Sequence, residues 1–195
     1  MSGWTQISVS AVALPDANID TDQLIPARFM SQSRADGYGE FLLHDVREGT
    51  PAHPLNHHTP KVLVTGRNFG SGSSREAAVY ALVDFGIRAV FAPSFGDIFA
   101  GNAVNNGLLA AQVDQATIET LLAHLGNGAE QAHVDLSTSR ASIAGIEVRF
   151  ALNPVHARKL INGWDDIDLT AQHADEINAF CAARHAAHSW AMPAT

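Results

Sequence analysis

The spacing of apolar positions changes several times along this chain, and each change marks an element. The apolar run from Ile7 to Leu14 predicts a first strand, which Pro15 stops. The next stretch is polar. Asp16 to Asp22 reads as a loop, followed by Gln23-Leu24-Ile25-Pro26. Ala27 to Gly39 mixes Ser, Arg, Gly and Asp and is expected to be a mobile loop. Phe41 to Val46 predicts a short helix, and Thr50 to Pro60, with three prolines, predicts irregular chain. From Lys61 the pattern becomes regular. Strand 61–65 leads to helix 74–85, strand 87–92 to helix 95–104, and strand 108–113 to helix 115–124 with Asp114 as its cap. Such alternation predicts an α/β layer with parallel neighbours. His133 to Leu136, Ala141 to Ile143 and Ile146 to Phe150 read as short antiparallel strands. Helices follow at Pro154 to Ile161 and at Ala174 to Ala187, and a frayed tail is expected from Ser189 to Thr195. No repeat, biased run or linker divides the chain, so residues 1–195 are expected to form one domain with a mainly parallel sheet, flanking helices and a small antiparallel C-terminal part.

Composition narrows the class. At 46% hydrophobic and 16% charged, 195 residues can bury a real core. No apolar run is long enough to cross a bilayer, and Met1 to Gln6 lacks the basic start and apolar stretch of a secretory signal. A cytoplasmic protein with no membrane partner is expected. The net charge is −8 and the lysines are Lys61 and Lys159 alone, so no basic stripe exists to hold nucleic acid. Cys181 is the single cysteine, which excludes an internal disulfide and a thiolate cluster held by this chain. Ten histidines invite a metal reading, but His53, His57 and His58 share a proline-rich stretch, and His185 with His188 lacks a third ligand. No metal is expected on this chain.

The densest chemistry lies in Lys61-Val62-Leu63-Val64-Thr65-Gly66-Arg67-Asn68-Phe69-Gly70-Ser71-Gly72-Ser73-Ser74-Arg75-Glu76. A strand feeds a glycine turn, and the turn opens a helix whose first N–H groups have no helical partner. That arrangement binds anions. A Walker A loop needs a lysine that is absent here, and a dinucleotide turn needs a glycine where Arg75 stands. The Gly-x-Ser-x-Gly elbow of hydrolases is absent as well. Ser73-Ser74-Arg75-Glu76 also fits a capping box, with Ser73 as cap and Glu76 reaching back. That local role leaves Arg75 unexplained, because a cation in a first helical turn opposes the dipole by about 0.3–1 kcal/mol. An anionic ligand reverses that sign, and a guanidinium can grip a carboxylate through two parallel hydrogen bonds. The second feature is Asn18-Ile19-Asp20-Thr21-Asp22 followed by Ile25-Pro26. By itself it reads as a turn with side-chain-to-backbone bonds, and two carboxylates make a poor metal site.

Together these segments resemble the small-subunit family of 3-isopropylmalate dehydratases, in the aconitase superfamily. The matching words are Asn18-Ile19-Asp20-Thr21-Asp22 with Ile25-Pro26, and Asn68 to Glu76. They continue through Ala92-Pro93-Ser94-Phe95-Gly96-Asp97-Ile98-Phe99, Asn102 and Asn105-Asn106-Gly107-Leu108-Leu109. Asn162-Gly163, Asp168-Leu169-Thr170 and Gln172-His173 are similar to the family's C-terminal part, so the likeness runs in order from about Ile7 to about Phe180. Ala77 departs from the pattern, standing where many members carry histidine.

The resemblance implies a swivelling α/β domain beside a separate large subunit, which holds a [4Fe–4S] cluster through its own cysteines. It implies dehydration and rehydration of an alkyl-substituted malate in leucine biosynthesis. Carried over by position, Ser73 resembles the catalytic base and Asp22 an active-site aspartate. Ser74 and Arg75 resemble residues that bind substrate carboxylate. Arg34 lies about where another substrate-binding arginine is found, and the Ala27 to Gly37 loop resembles the segment that sets substrate choice. Related dehydratases of 2-methylmalate or dimethylmalate, and a non-catalytic carboxylate-binding regulatory module, stay open as alternatives. Physics supports the anion site more readily than the base. A helix end supplies at most about 2 kcal/mol, or roughly one pKa unit, against a hydroxyl that starts near that of water.

Overall fold

Strands β1 (Gln6–Leu14), β2 (Val62–Thr65), β3 (Ala89–Ala92) and β4 (Leu109–Gln112) run parallel in the order β4-β3-β2-β1. Every residue of β2 and β3 is buried, as expected for strands covered on both faces. The computed structural model describes residues 2–191, with Arg34 described in its backbone alone. Among the described residues one seven-stranded sheet forms. Its other half, β5 (Ala129–Asp135), β6 (Arg140–Ile143) and β7 (Ile146–Arg149), is an antiparallel meander joined to β1 through β5. The expected α/β class, mainly parallel with an antiparallel C-terminal part, is the one observed.

Side chains alternate across the strands and build two apolar layers. Ala11, Ala13, Val62, Val64, Ala89 and Phe91 face one layer, which α6 (Gln115–Leu125) covers with Ile118, Leu121 and Leu125. Val12, Leu14, Leu63, Val90 and Ala92 face the other, which α4 (Ala77–Phe85) covers with Ala78, Val79, Ala81 and Leu82. The helix α5 (Asp97–Asn105) joins β3 to β4 and sends Val104 to the first layer and Phe99 with Ala103 to the second. Asp114 caps α6 as expected, accepting the Thr117 N–H.

Several local expectations shift. The loop expected over Ala27 to Gly39 contains short 3-10 turns at Ala27–Ser31 and Arg34–Asp36, and a third begins at Gly39. Phe29 stacks on Phe41 with ring centroids 4.3 Å apart, and Arg28 pairs with Asp45. That guanidinium holds the Asp45 carboxyl at about 2, below its usual range. These contacts tie the segment down in a way its polar composition does not advertise. Asp20 caps a short helix α1 (Thr21–Leu24) inside the stretch read as loop. The helix expected at Phe41 to Val46 forms three residues later, as α2 (His44–Gly49). The irregular Thr50 to Pro60 contains one turn of helix, α3 (Pro54–His57), begun by a proline and capped by His53.

At the C-terminal end, α7 (Pro154–Asn162) and α9 (Ala174–Ala187) form where the pattern placed them. Between them lies an unexpected helix, α8 (Asp166–Ala171), whose capping box joins Asp165 to Asp168. Lys159 is buried, and its ammonium donates to Asn105 at 2.7 Å and pairs with Asp166. Of the tail expected to fray, Ser189–Ala191 form a 3-10 turn and residues 192–195 lie outside the described residues. No helix among the described residues is long and apolar enough to cross a membrane.

Candidate active site at the carboxyl ends of the parallel strands

In an open parallel sheet, ligands bind beyond the carboxyl ends of the strands. Here β1, β2 and β3 are adjacent, so three loops emerge side by side: residues 15–20 after β1, 66–76 after β2 and 93–96 after β3. The two motifs singled out by sequence are the first two of these loops.

They are held together rung by rung, as if the parallel pairing of β1 and β2 continued past the sheet. The Asn18 N–H donates to the Arg67 carbonyl at 2.8 Å, and the Gly70 N–H donates to the Ile19 carbonyl at 2.7 Å. Asp20 and Ser71 form an isolated parallel bridge. Thr21 donates its N–H to the Ser71 carbonyl at 2.9 Å, and its hydroxyl oxygen accepts the Ser73 N–H at 3.1 Å. Asn18 and Asn68 both take positive φ, 60° and 61°, and the Asn68 amide donates to the Asn18 side-chain oxygen at 2.9 Å. The third loop joins through Phe69, whose N–H donates to the Ser94 carbonyl and whose carbonyl accepts the Gly96 N–H. Phe69, Phe95 and Phe99 pack as a cluster beneath.

Close approach explains two glycines. A Cβ on Gly70 would lie 2.2 Å from the Phe99 ring, and Gly70 also sits at φ +71°. A Cβ on Gly96 would meet the Gly70 carbonyl at 2.7 Å. No side chain larger than hydrogen fits at either place. A cavity of about 230 Å³ opens between these loops, lined by Ser71, Ser73, Asp97, Ile98 and Phe99 among others. Its lining mixes the polar Ser71, Ser73 and Asp97 with the apolar Ile98 and Phe99.

The helix after the glycine turn starts later than expected, and this corrects the capping-box reading. α4 begins at Ala77, and Glu76 is its N-cap without a side-chain cap bond. Ser73 gives its N–H to Thr21 instead of capping, while the Glu76 carboxylate accepts from the Asn106 amide at 2.8 Å. Ser73, Ser74 and Arg75 therefore belong to the loop. The dipole argument for Arg75 loses its basis, since Arg75 precedes the helix; so does any contribution of a helix end to ionising Ser73.

The structure supplies a different reason to notice Arg75. Its guanidinium pairs with Asp22, 53 residues earlier in the chain. The Arg75 side chain is 25% exposed and that of Asp22 is 61% exposed. An ion pair open to water contributes only about 0–1 kcal/mol. A ligand carboxylate can take the place of Asp22 on the guanidinium at small cost. Ser73 and Ser74 are exposed, and Ser73 lines the cavity. Asp22, Ser73, Ser74 and Arg75 thus gather at one edge of the molecule. The contact expected of Arg34 rests on a side chain outside the described residues. Ala77 occupies the first position of α4 and is partly buried.

Other chemistry is sparse. Among the described residues one cluster of metal-ligand types comes within reach, His44, Asp45 and Glu48 on α2, and its Asp45 carboxylate is already held by Arg28. Cys181 is exposed on α9. Thr21, Gly96 and Asn106 stand within the matching words, but nothing in the sequence assigned them a role of their own. Thr21 stood in plain view between two acids, but its partner lies in a distant segment.

Residues 1–116 match the model of the aconitase C-terminal domain family. The 3-isopropylmalate dehydratase small subunit of Shewanella denitrificans is 43% identical over 92% of this chain and 96% of its own length. The small subunit of the same name from Cytophaga hutchinsonii is 40% identical over 92% of this chain and 94% of its own. Among solved structures, 3-isopropylmalate dehydratase (LeuD) from Methanocaldococcus jannaschii superposes with a TM-score of 0.69 at 25% identity, over 89% of this chain and 99% of that one. The family match covers more than half of the sequence and the likeness to these small subunits spans nearly all of it: the chain belongs to the aconitase C-terminal domain family.

Proposed function

We propose that this chain is the small subunit of a hydro-lyase of leucine biosynthesis, acting in the cytoplasm. It interconverts 2-isopropylmalate and 3-isopropylmalate by removing and re-adding water, as a pair with a large subunit that bears a [4Fe–4S] cluster. One observation carries the reading: two exposed serines and a partly buried guanidinium stand together on a glycine turn that a second motif clamps from 50 residues away. The names of the relatives supply the reaction class.

The substrate is a small dianion. Removing a proton beside a carboxylate adds charge to a group already negative, so fixed donors there lower the barrier most. Arg75 supplies them, exchanging Asp22 for the substrate carboxylate, and Ser74 adds a hydroxyl donor. Ser73, ionised, takes the proton from the carbon next to that carboxylate; the C–H electron pair becomes the double bond to the adjacent carbon, whose C–O bond breaks, and the departing hydroxide would be received by the Lewis acid that the large subunit's cluster supplies. Re-addition of water with the opposite placement completes the isomerisation. Desolvation against the partner and the nearby guanidinium must supply the ionisation of Ser73. Ile98 and Phe99 in the cavity lining suit an alkyl substituent. The donor set of this chain does not fit an iron–sulfur cluster, since its lone thiol is exposed and has no cysteine partner. The cluster is accordingly assigned to the large subunit.

A panel of alkylmalates assayed on the reconstituted pair tests the reading. Both isopropylmalates are expected to give the unsaturated product, followed by its absorbance, with kcat/KM above that of 2-methylmalate or dimethylmalate. Preference for one of those two would reassign the substrate. Binding of carboxylates by the pair without any turnover would leave a regulatory module.

A further inference from the structure

The loop carrying Ser73 is weakly determined by its own residues. Gly70 and Gly72 flank Ser71 at φ +71° and +97°, and glycine leaves the backbone most freedom of any residue. A group that abstracts a proton must nevertheless be held in place, because a displacement of about 1 Å can cost roughly 10²-fold in rate.

Thr21 supplies the constraint from outside. It is 1% exposed, whereas its neighbours Asp20 and Asp22 reach solvent. It opens α1, a turn already locked by the reciprocal bonds between Asp20 and Gln23, so its hydroxyl is not needed as a cap. That hydroxyl accepts the Ser73 N–H, and the Thr21 N–H donates to the Ser71 carbonyl. The two bonds land on either side of Gly72, which sits at φ +97°. Burying a hydroxyl is unfavourable unless it makes such a bond. An apolar residue of the same shape would fill the space but leave Ser73 untethered.

We infer that Thr21 is a positioning residue for Ser73: its hydroxyl pins the Ser73 backbone and so fixes where the Ser73 hydroxyl points. This rests on the proposed role of Ser73. The experiment compares Thr21→Val, Thr21→Ser and Ser73→Ala in the reconstituted pair. Thr21→Val is expected to lower kcat about 10- to 100-fold with KM changed less than about threefold. Thr21→Ser, which keeps the acceptor, restores kcat to within about threefold of the parent, and Thr21→Val adds nothing further to Ser73→Ala. A purely structural role would instead show equal losses for the two threonine variants and additivity with Ser73→Ala. If Ser73→Ala is inactive while Thr21→Val turns over at the parent rate, the inference fails and the reading of Ser73 stands. If Ser73→Ala is fully active, the reading of Ser73 fails first. Amide exchange in the full-length parent chain decides the matter should Thr21→Val not fold. The Ser73 amide is expected to exchange at least tenfold more slowly than that of exposed Ser74, and equal rates would overturn the inference.

Discussion

Ser73→Ala is expected to lower kcat of the two-subunit enzyme by about 10²- to 10⁴-fold, the usual contribution of a positioned acid or base. KM should change little. The substitution is a clean one here. The loop is held by the Ser73 backbone N–H, which alanine retains, and the side chain is exposed. Folding stability should therefore stay within about 0.5 kcal/mol of the parent. Assaying the reconstituted pair by product absorbance, beside thermal melts of the isolated chain, separates the lost hydroxyl from lost structure. A kcat within threefold of the parent would place the base elsewhere.

Arg75→Ala removes the charge that faces the substrate carboxylate. A fall in kcat/KM of about 10²- to 10³-fold is expected, the size seen when one preorganised donor to a developing charge is deleted. Both parameters should suffer, because the carboxylate is present in the ground state and gains charge in the transition state. Arg75→Lys should recover only part of the loss, since an ammonium cannot make two parallel bonds to a carboxylate. The variant should fold and bind its partner normally. Asp22, left without the guanidinium, is 61% exposed and hydrates readily. Steady-state kinetics with pull-down of the large subunit checks both halves. Full turnover by Arg75→Ala would remove this residue from the site.

The fold was readable where local pattern and tertiary burial agree. The central parallel strands β2 and β3 are short and apolar, and every residue in them is buried. Asp114 announces α6 from one position outside it. The reading failed where a distant segment overrides a local rule. Ser73-x-x-Glu76 has the letters of a capping box, but Thr21 takes the Ser73 N–H and Asn106 takes the Glu76 carboxylate. The helix then starts at Ala77. The Ala27 to Gly39 stretch mixes Ser, Arg, Gly and Asp, yet stacking of its Phe29 on Phe41, just beyond it, organises it. The helix α8 was missed because its apolar content is slight and its Ile167 is exposed.

At the candidate site, sequence order and residue type carried the resemblance that nominates Asp22, Ser73, Ser74 and Arg75. They were not enough to show why the two motifs occur together. The structure gives a physical reason: residues 18–22 template residues 67–75, one rung after another, ending in the Asp22–Arg75 pair. Each rung spans about fifty positions of sequence, a distance over which no local periodicity operates.

The proposed function makes this loop half of an active site, finished by a second polypeptide. The direct measurement is turnover of isopropylmalate by the purified chain alone and after stepwise addition of the cluster-bearing large subunit. No detectable turnover is expected for either chain by itself, and activity should rise to a plateau at equal stoichiometry. Full turnover by the isolated small chain would contradict the proposed function.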